Sequence, residues 1–122
     1  MNSGSGFANI NNNVNFSGTS NASLQLINVP GSWYGYQLRC LANRIASESF
    51  QLKFTNTWVG GASTTRENPA NWSCSPIPDA NTDVDINFGT VVINSSTTIR
   101  TQVLAPGVNI TVGTGVGLKV LY

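Results

Sequence analysis

The chain contains no histidine. That absence removes Ser-His and Cys-His activation of a nucleophile, and with it the commonest metal ligand. Charge is almost as scarce. Six basic and five acidic residues make 9% of the 122 positions, against about a quarter in an ordinary soluble domain. The basic residues are scattered and the net charge is +1, so there is no field to gather a nucleic acid or an anionic membrane surface. No apolar run approaches the roughly 18 residues that cross a bilayer. The stretch Met1-Asn-Ser-Gly-Ser-Gly6 is polar and uncharged, unlike the start of a signal peptide, so an export signal is expected to lie outside these residues. Nowhere do apolar residues recur at helical spacing over a useful length, which excludes a helical body.

What the chain does have is asparagine, serine, threonine and glycine between short alternating runs. Leu24 to Val29 alternates and is stopped by Pro30-Gly31, and Tyr36, Leu38 and Cys40 alternate again. Phe50, Leu52 and Phe54 form a third such run, and Val84, Ile86 and Phe88 a fourth, with Asp83, Asp85 and Asn87 on its polar side. Each is the pattern of a half-buried strand. Near the start, a short strand is expected at Phe7 to Ile10, followed by an Asn-rich turn. Val91-Val92-Ile93 and the run Ile99 to Leu104 follow. Two near copies close the chain, Val108-Asn-Ile-Thr-Val112 and Val116-Gly-Leu-Lys-Val120, eight residues apart around Gly113-Thr114-Gly115. They fit either a hairpin with a three-residue turn or successive edges of a small solenoid. The fold class expected is all-β, mainly antiparallel and sandwich-like. The composition shift near Thr55 to Trp58 divides it into residues 1–56 and 57–122, packed together as one compact unit.

Candidate sites are few. The acids are Glu48, Glu67, Asp79, Asp83 and Asp85, and a glycosidase needs two carboxylates facing one cleft. Asp83 and Asp85 share a strand face, which solvation alone explains, and no enzyme is expected. Asp79, Asn81, Asp83 and Asp85 set oxygen ligands at every second residue, like the first half of a calcium loop, but Val84 stands where such a loop needs glycine and Thr90 where it needs glutamate. A capped turn entering a strand explains the same residues, so calcium is a secondary candidate and no other cofactor is expected. Trp33 and Tyr34, at the corner after Pro30-Gly31, are the preferred aromatic patch for stacking on a sugar. Trp58 and Trp72 read instead as hydrophobic anchors of the proline-rich stretch from Gly60 to Pro78. Cys40 and Cys74 are a candidate disulfide or two buried thiols.

Two resemblances add to this. Leu24-Gln-Leu-Ile-Asn-Val29, Gly35-Tyr-Gln-Leu-Arg-Cys40 and Phe50-Gln-Leu-Lys-Phe54 resemble the second half of bacterial immunoglobulin-like modules. Leu38 stands where a tyrosine often precedes the cysteine by two residues, and the family's earlier strands have no counterpart. Thr57-Trp-Val-Gly-Gly-Ala62, Asn68-Pro-Ala-Asn-Trp-Ser-Cys74, Pro78, Asp83-Val-Asp-Ile86, Ile99-Arg-Thr101 and Leu104-Ala-Pro-Gly107 are similar to a module of exported surface proteins of Bacteroidetes-type bacteria. Arg66 and Gln102 depart from it, standing where leucine or an aromatic is usual. The resemblance implies half an immunoglobulin-like sheet joined to a C-terminal set of short strands, an extracellular or cell-surface setting, and no transferable chemistry; a mobile gene cassette is one source of such a composite. A half sheet with one apolar face needs a cover, since each buried Leu or Phe contributes about 1.5–3 kcal/mol. Residues 57–122 folding back and a second copy are both expected, hence a homo-oligomer. The expected role is a non-catalytic structural or interaction module with a protein or glycan partner. A carbohydrate-binding module is the alternative.

Overall fold

The computed structural model describes all residues, 1–122, and contains no α-helix. Its thirteen strands, none longer than four residues, are joined by turns, with single 3-10 turns at Gly31–Trp33 and Pro69–Asn71. The all-β expectation holds. Two compact units meet between Lys53 and Phe54, close to the composition shift.

In residues 1–53 every strand ladder is antiparallel. β1 (Phe16–Ser17) pairs with β2 (Gln25–Leu26), β3 (Gln37–Leu38) with β6 (Phe50–Gln51), and β4 (Leu41–Ala42) with β5 (Ile45–Ala46). The last pair is a tight hairpin: Asn43 and Arg44 both have positive φ, at 49° and 66°. A two-residue turn of that hand matches the right-handed twist of the flanking strands. Phe16, Leu38 and Leu52 form the small core, with Ile10, Leu26, Val29, Trp33 and Tyr36 packed around it. Three details differ from the sequence reading. Phe7 to Ile10 makes only an isolated bridge, Phe7 with Asn2. Phe50 is exposed, because the β3–β6 ladder stops after two rungs and no adjacent strand covers the ring. Cys40 leaves the alternation after Leu38 and faces solvent.

Residues 54–122 pair in the other sense. β7 (Thr55–Thr57), β8 (Asp83–Ile86) and β11 (Thr101–Leu104) form one parallel sheet. β9 (Thr90–Ile93) pairs in parallel with β12 (Asn109–Val112), and β10 (Thr97–Ile99) with β13 (Leu118–Val120). From β8 onward consecutive strands belong to different sheets, and the chain returns to the same sheet after one circuit. Asp83 lies beside Thr101, Thr90 beside Asn109 and Thr97 beside Leu118, so a circuit from β8 onward takes 18 to 21 residues, whereas the first, from Thr55 to Asp83, takes 28. This is a short three-sided parallel solenoid. The two near copies are its successive edges, β12 and β13, which do not pair with each other. Parallel strands need a crossover of a dozen or more residues, and here the other two sides of the same coil supply it. Antiparallel sandwich packing is accordingly absent from this half, and the run Ile99 to Leu104 is broken at Arg100 by a corner between β10 and β11.

One residue in two faces the axis. Val84, Ile86, Val91, Ile93 and Ile99 of the middle coil are at most 2% exposed. At about 1.5–3 kcal/mol each, their burial is the principal stabilisation of the unit. The space left along the axis is about 10 Å³, room for a single water. The interior is a packed core and offers no ligand channel.

Candidate interaction surface

The two ends of the solenoid are built differently. At the first, residues 71–76 run along the outer edge of β7. Thr57 N–H donates to Ser73 Oγ at 3.0 Å, Ser73 N–H donates to Thr57 O at 2.9 Å, and Val59 N–H donates to Asn71 O at 2.8 Å. Asn56, in register with Val84 and so facing the axis, donates from Nδ2 to Cys74 O and Pro76 O at 2.6 and 3.1 Å and accepts from Cys74 N–H at 2.9 Å. Trp58 and Trp72 meet edge to face, 5.2 Å between centroids, and Trp72 Nε1–H donates to Arg66 O at 2.8 Å. Arg66 is buried, and its Nη2 donates to Pro78 O at 2.7 Å. Burial holds the guanidinium pKa below its usual value, with neighbouring Glu67 acting in the opposite direction. This end is sealed.

The last coil has no such cover. By register, Gln102 and Leu104 sit over Val84 and Ile86, Ile110 and Val112 over Val91 and Ile93, and Leu118 and Val120 over Thr97 and Ile99. These six side chains face the axis, yet Leu104 is 47% exposed, Val112 42% and Val120 39%. Their backbone groups point the same way as the opening. Ala105, Asn109 and Gly113 N–H donate back to Ile86, Gly89 and Ile93 O, and Leu121 N–H to Ile99 O. Strand alternation then turns the N–H and C=O of residues 102, 104, 110, 112, 118 and 120 toward the open edge. Edges of this kind are usually blunted by lysine, proline or a bulge. Along β11, β12 and β13 the single charge is Lys119.

A carboxylate ties the coils together. Glu67 Oε1 accepts from Asn94 N–H and Ser95 N–H, both at 2.9 Å, and from Ser95 Oγ at 3.0 Å. Burial alone would raise its pKa, but these hydrogen bonds to the ionised form outweigh it and leave the value below the usual 4.5. A depressed folded-state pKa contributes stability that is complete above the ordinary value and is lost as pH falls through the depressed one. Urea midpoints of the wild type and Glu67→Gln, followed from about pH 6 to about pH 2, should therefore converge below about 4.5. A gap that stays constant over that range would show that the charge contributes nothing.

The residues singled out in the sequence are dispersed. Asp79 Oδ1 accepts from Asn81 N–H at 2.8 Å and Thr82 Oγ1 at 3.0 Å, which is turn capping. Asp83 Oδ1 accepts from Thr101 Oγ1 at 2.7 Å across the β8–β11 ladder, and Asp85 lies between Thr57 and Val103 in the same sheet. No three acidic or thiol side chains converge as metal ligands. Cys40 and Cys74 are free, exposed thiols, one in each unit, and are neither buried nor joined. Trp33 lies in a near-parallel stack with Phe16 and Tyr36, at 5.3 and 5.9 Å between centroids. It is part of the packing around the first core, and Tyr34 beside it is half-buried. Trp33→Ala should destabilise residues 1–53 by about 2 kcal/mol, read by urea unfolding. A shallow cleft of about 410 Å³ lies along Ser17, Gly18, Asn21 and Gln25, with no carboxylate or aromatic ring in its lining. No helix is long and apolar enough to cross a membrane.

Fold and surface together define a class of object, a parallel solenoid with one end sealed and the other bare. Comparison with family models, with curated proteins and with solved structures finds no match in any of the three.

Proposed function

We propose that this chain is a non-catalytic structural or interaction module of extracellular, cell-surface type, and that it acts by β-edge association through the open end of its solenoid. The observation that carries this reading is the last coil, where three strand edges and an apolar patch inside them lie uncovered on one surface. Three features support it. The Glu67, Asp79 and Asp83 carboxylates are spent on turns and ladders. The solenoid axis is too narrow for a ligand. The low charge and the amide- and hydroxyl-rich surface, together with the likeness of residues 57–120 to surface-protein modules, favour the extracellular setting.

Calorimetric titration of the full chain with a panel of mono- and oligosaccharides tests the reading against the carbohydrate-binding alternative. No saturable heat is expected. Saturable binding that is lost in Tyr34→Ala, with the fold retained, would overturn the proposal in favour of a sugar site beside Trp33.

A further inference from the structure

We infer that the β4–β5 hairpin is a self-association arm, and that two copies of this chain pair there, edge to edge along β5, as a twofold dimer. The inference lies outside the solenoid and goes beyond the association proposed for its end. Residues 39–51 are all exposed, and none belongs to the core of residues 1–53. The hairpin therefore stands in water on both faces, with Leu41 55% and Ile45 75% exposed. A two-stranded hairpin on its own is marginal in water and gains stability from further strands.

The backbone sets the register a partner strand can take. Ser47 N–H donates across the hairpin to Cys40 O at 2.9 Å. Hydrogen-bonding direction alternates along an antiparallel strand, so Ala46, in register with Leu41, turns its N–H and C=O to the outer edge of β5. A second β5 laid antiparallel on that edge pairs Ala46 with the partner's Ala46, and the twofold axis passes between them. Counting outward from that pair sets Arg44, in the turn that leads into β5, opposite the partner's Glu48, and Glu48 opposite the partner's Arg44. These are the only charges in residues 40–52, they are opposite in sign, and neither side chain has a partner within the chain. Arg39, at the root of the hairpin, is spent over the Phe7 ring at 3.9 Å. Opposite charges facing each other across antiparallel strands stabilise the pairing, and like charges oppose it. The arm is thus complementary to itself in the one register its free backbone groups allow. Leu41, Ala46 and their two copies form a single row across the four strands, an apolar centre with an ion pair on either side. Pairing along β4 instead would centre on Leu41 and set Arg39 against Asn43, with no opposite charges facing. The ladder is short, so the dimer is weak and concentration-dependent.

Sedimentation velocity on the full chain, with amide hydrogen exchange at high and low protein concentration, tests this. The expected mass is twice 12.9 kDa when concentrated, falling to the single chain on dilution. Arg44→Glu turns both ion pairs into repulsions and should weaken association about tenfold. Adding Glu48→Arg to it should restore the wild-type affinity. Ala46→Pro removes the outward N–H, spares the hydrogen bonds within the hairpin, and should abolish the dimer. All three positions are exposed and outside the core, so tryptophan emission and the urea midpoint of the dilute chain should stay as in the wild type. In the concentrated wild type the amides of Ala46 and Glu48 should slow, and that of Leu41, on the outer edge of β4, should not. A monomer at every concentration up to the solubility limit overturns the inference. Growth past two copies overturns it too, as do slowing at Leu41 in place of Ala46, an association that Ala46→Pro or Arg44→Glu leaves intact, and a double substitution that restores nothing. Each of these outcomes leaves the solenoid reading standing, because no residue of the last coil is changed.

Discussion

Asn71→Ala is expected to lower the stability of residues 54–122 by about 3–5 kcal/mol, through the loss of four hydrogen bonds made by one fully buried side chain. Asn71 is 0% exposed, and its side chain completes four contacts. Oδ1 accepts from Ala62 N–H at 2.8 Å and Ser63 N–H at 3.0 Å, while Nδ2 donates to Thr65 O at 2.8 Å and Ser63 Oγ at 3.0 Å. Alanine leaves two backbone donors and one backbone carbonyl, in part-buried contacts, without their partner, each costing about 1–3 kcal/mol where water does not take its place. A unit of this length is held by only about 3–10 kcal/mol in total, so the loss approaches the whole. Asn68 provides the comparison. Its Oδ1 caps the following turn through Ala70 N–H at 3.0 Å, but the contact is exposed. Asn68→Ala should cost about 1 kcal/mol, as a lost cap does. Urea unfolding followed by tryptophan emission reads both, since Trp58 and Trp72 lie in this unit. Equal, small losses at the two positions would mean that solvent reaches the Ala62–Thr65 loop and that Asn71 is not its organiser.

That loop also shows where the sequence could be read and where it could not. Strand existence was legible wherever two or three apolar residues alternated: Val84 and Ile86, Val91 and Ile93, and Leu38 and Leu52 are all buried. Pairing sense was not. A β-strand's side-chain period is the same in parallel and antiparallel sheets, and what separates them is the connection. Strands of three or four residues with one- to five-residue links, as between β8 and β13, suit a hairpin and a solenoid corner equally. Only the eight-residue echo between Val108 and Val120 pointed to a coil. Phe50, inside the short β6, and Phe88, past the end of β8, show the limit of alternation as a burial signal, since both belong to an apolar pattern and emerge exposed. The asparagines were read as turn formers, which holds for Asn13, whose Oδ1 accepts from Asn15 N–H at 2.7 Å. Asn56 and Asn71 do the opposite, carrying hydrogen bonds inside the structure across 18 and 9 residues of chain, to Cys74 and Ala62. The open end was illegible for a related reason. Leu104 and Ile110 are apolar like Ile86 and Val91, the residues they lie beside one coil earlier, so residue type alone does not tell the exposed edge from the covered one.

Trp72→Ala should be the second severe change, costing residues 54–122 about 3–5 kcal/mol. The indole is 5% exposed, stands at 79° to the ring of Trp58, and donates its Nε1–H to Arg66 O. Removing it leaves a cavity at the sealed end and a carbonyl without a donor. Trp72→Phe separates the two losses: it keeps most of the packing, gives up the hydrogen bond, and should cost about 1–2 kcal/mol. The position matters beyond stability because Trp72 holds residues 71–76 against β7. With that segment loosened, the Arg66 guanidinium regains solvent and the β7 edge becomes available. With the β7 edge free as well as those of β11, β12 and β13, contacts between unlike edges become possible, and heterologous contacts that do not close produce filaments. Trp72→Ala should therefore scatter light increasingly with concentration at temperatures where it remains folded, whereas Trp72→Phe should not. Folded Trp72→Ala that assembles no further than the wild type would show that the segment along β7 is held by Asn56 and Thr57 alone.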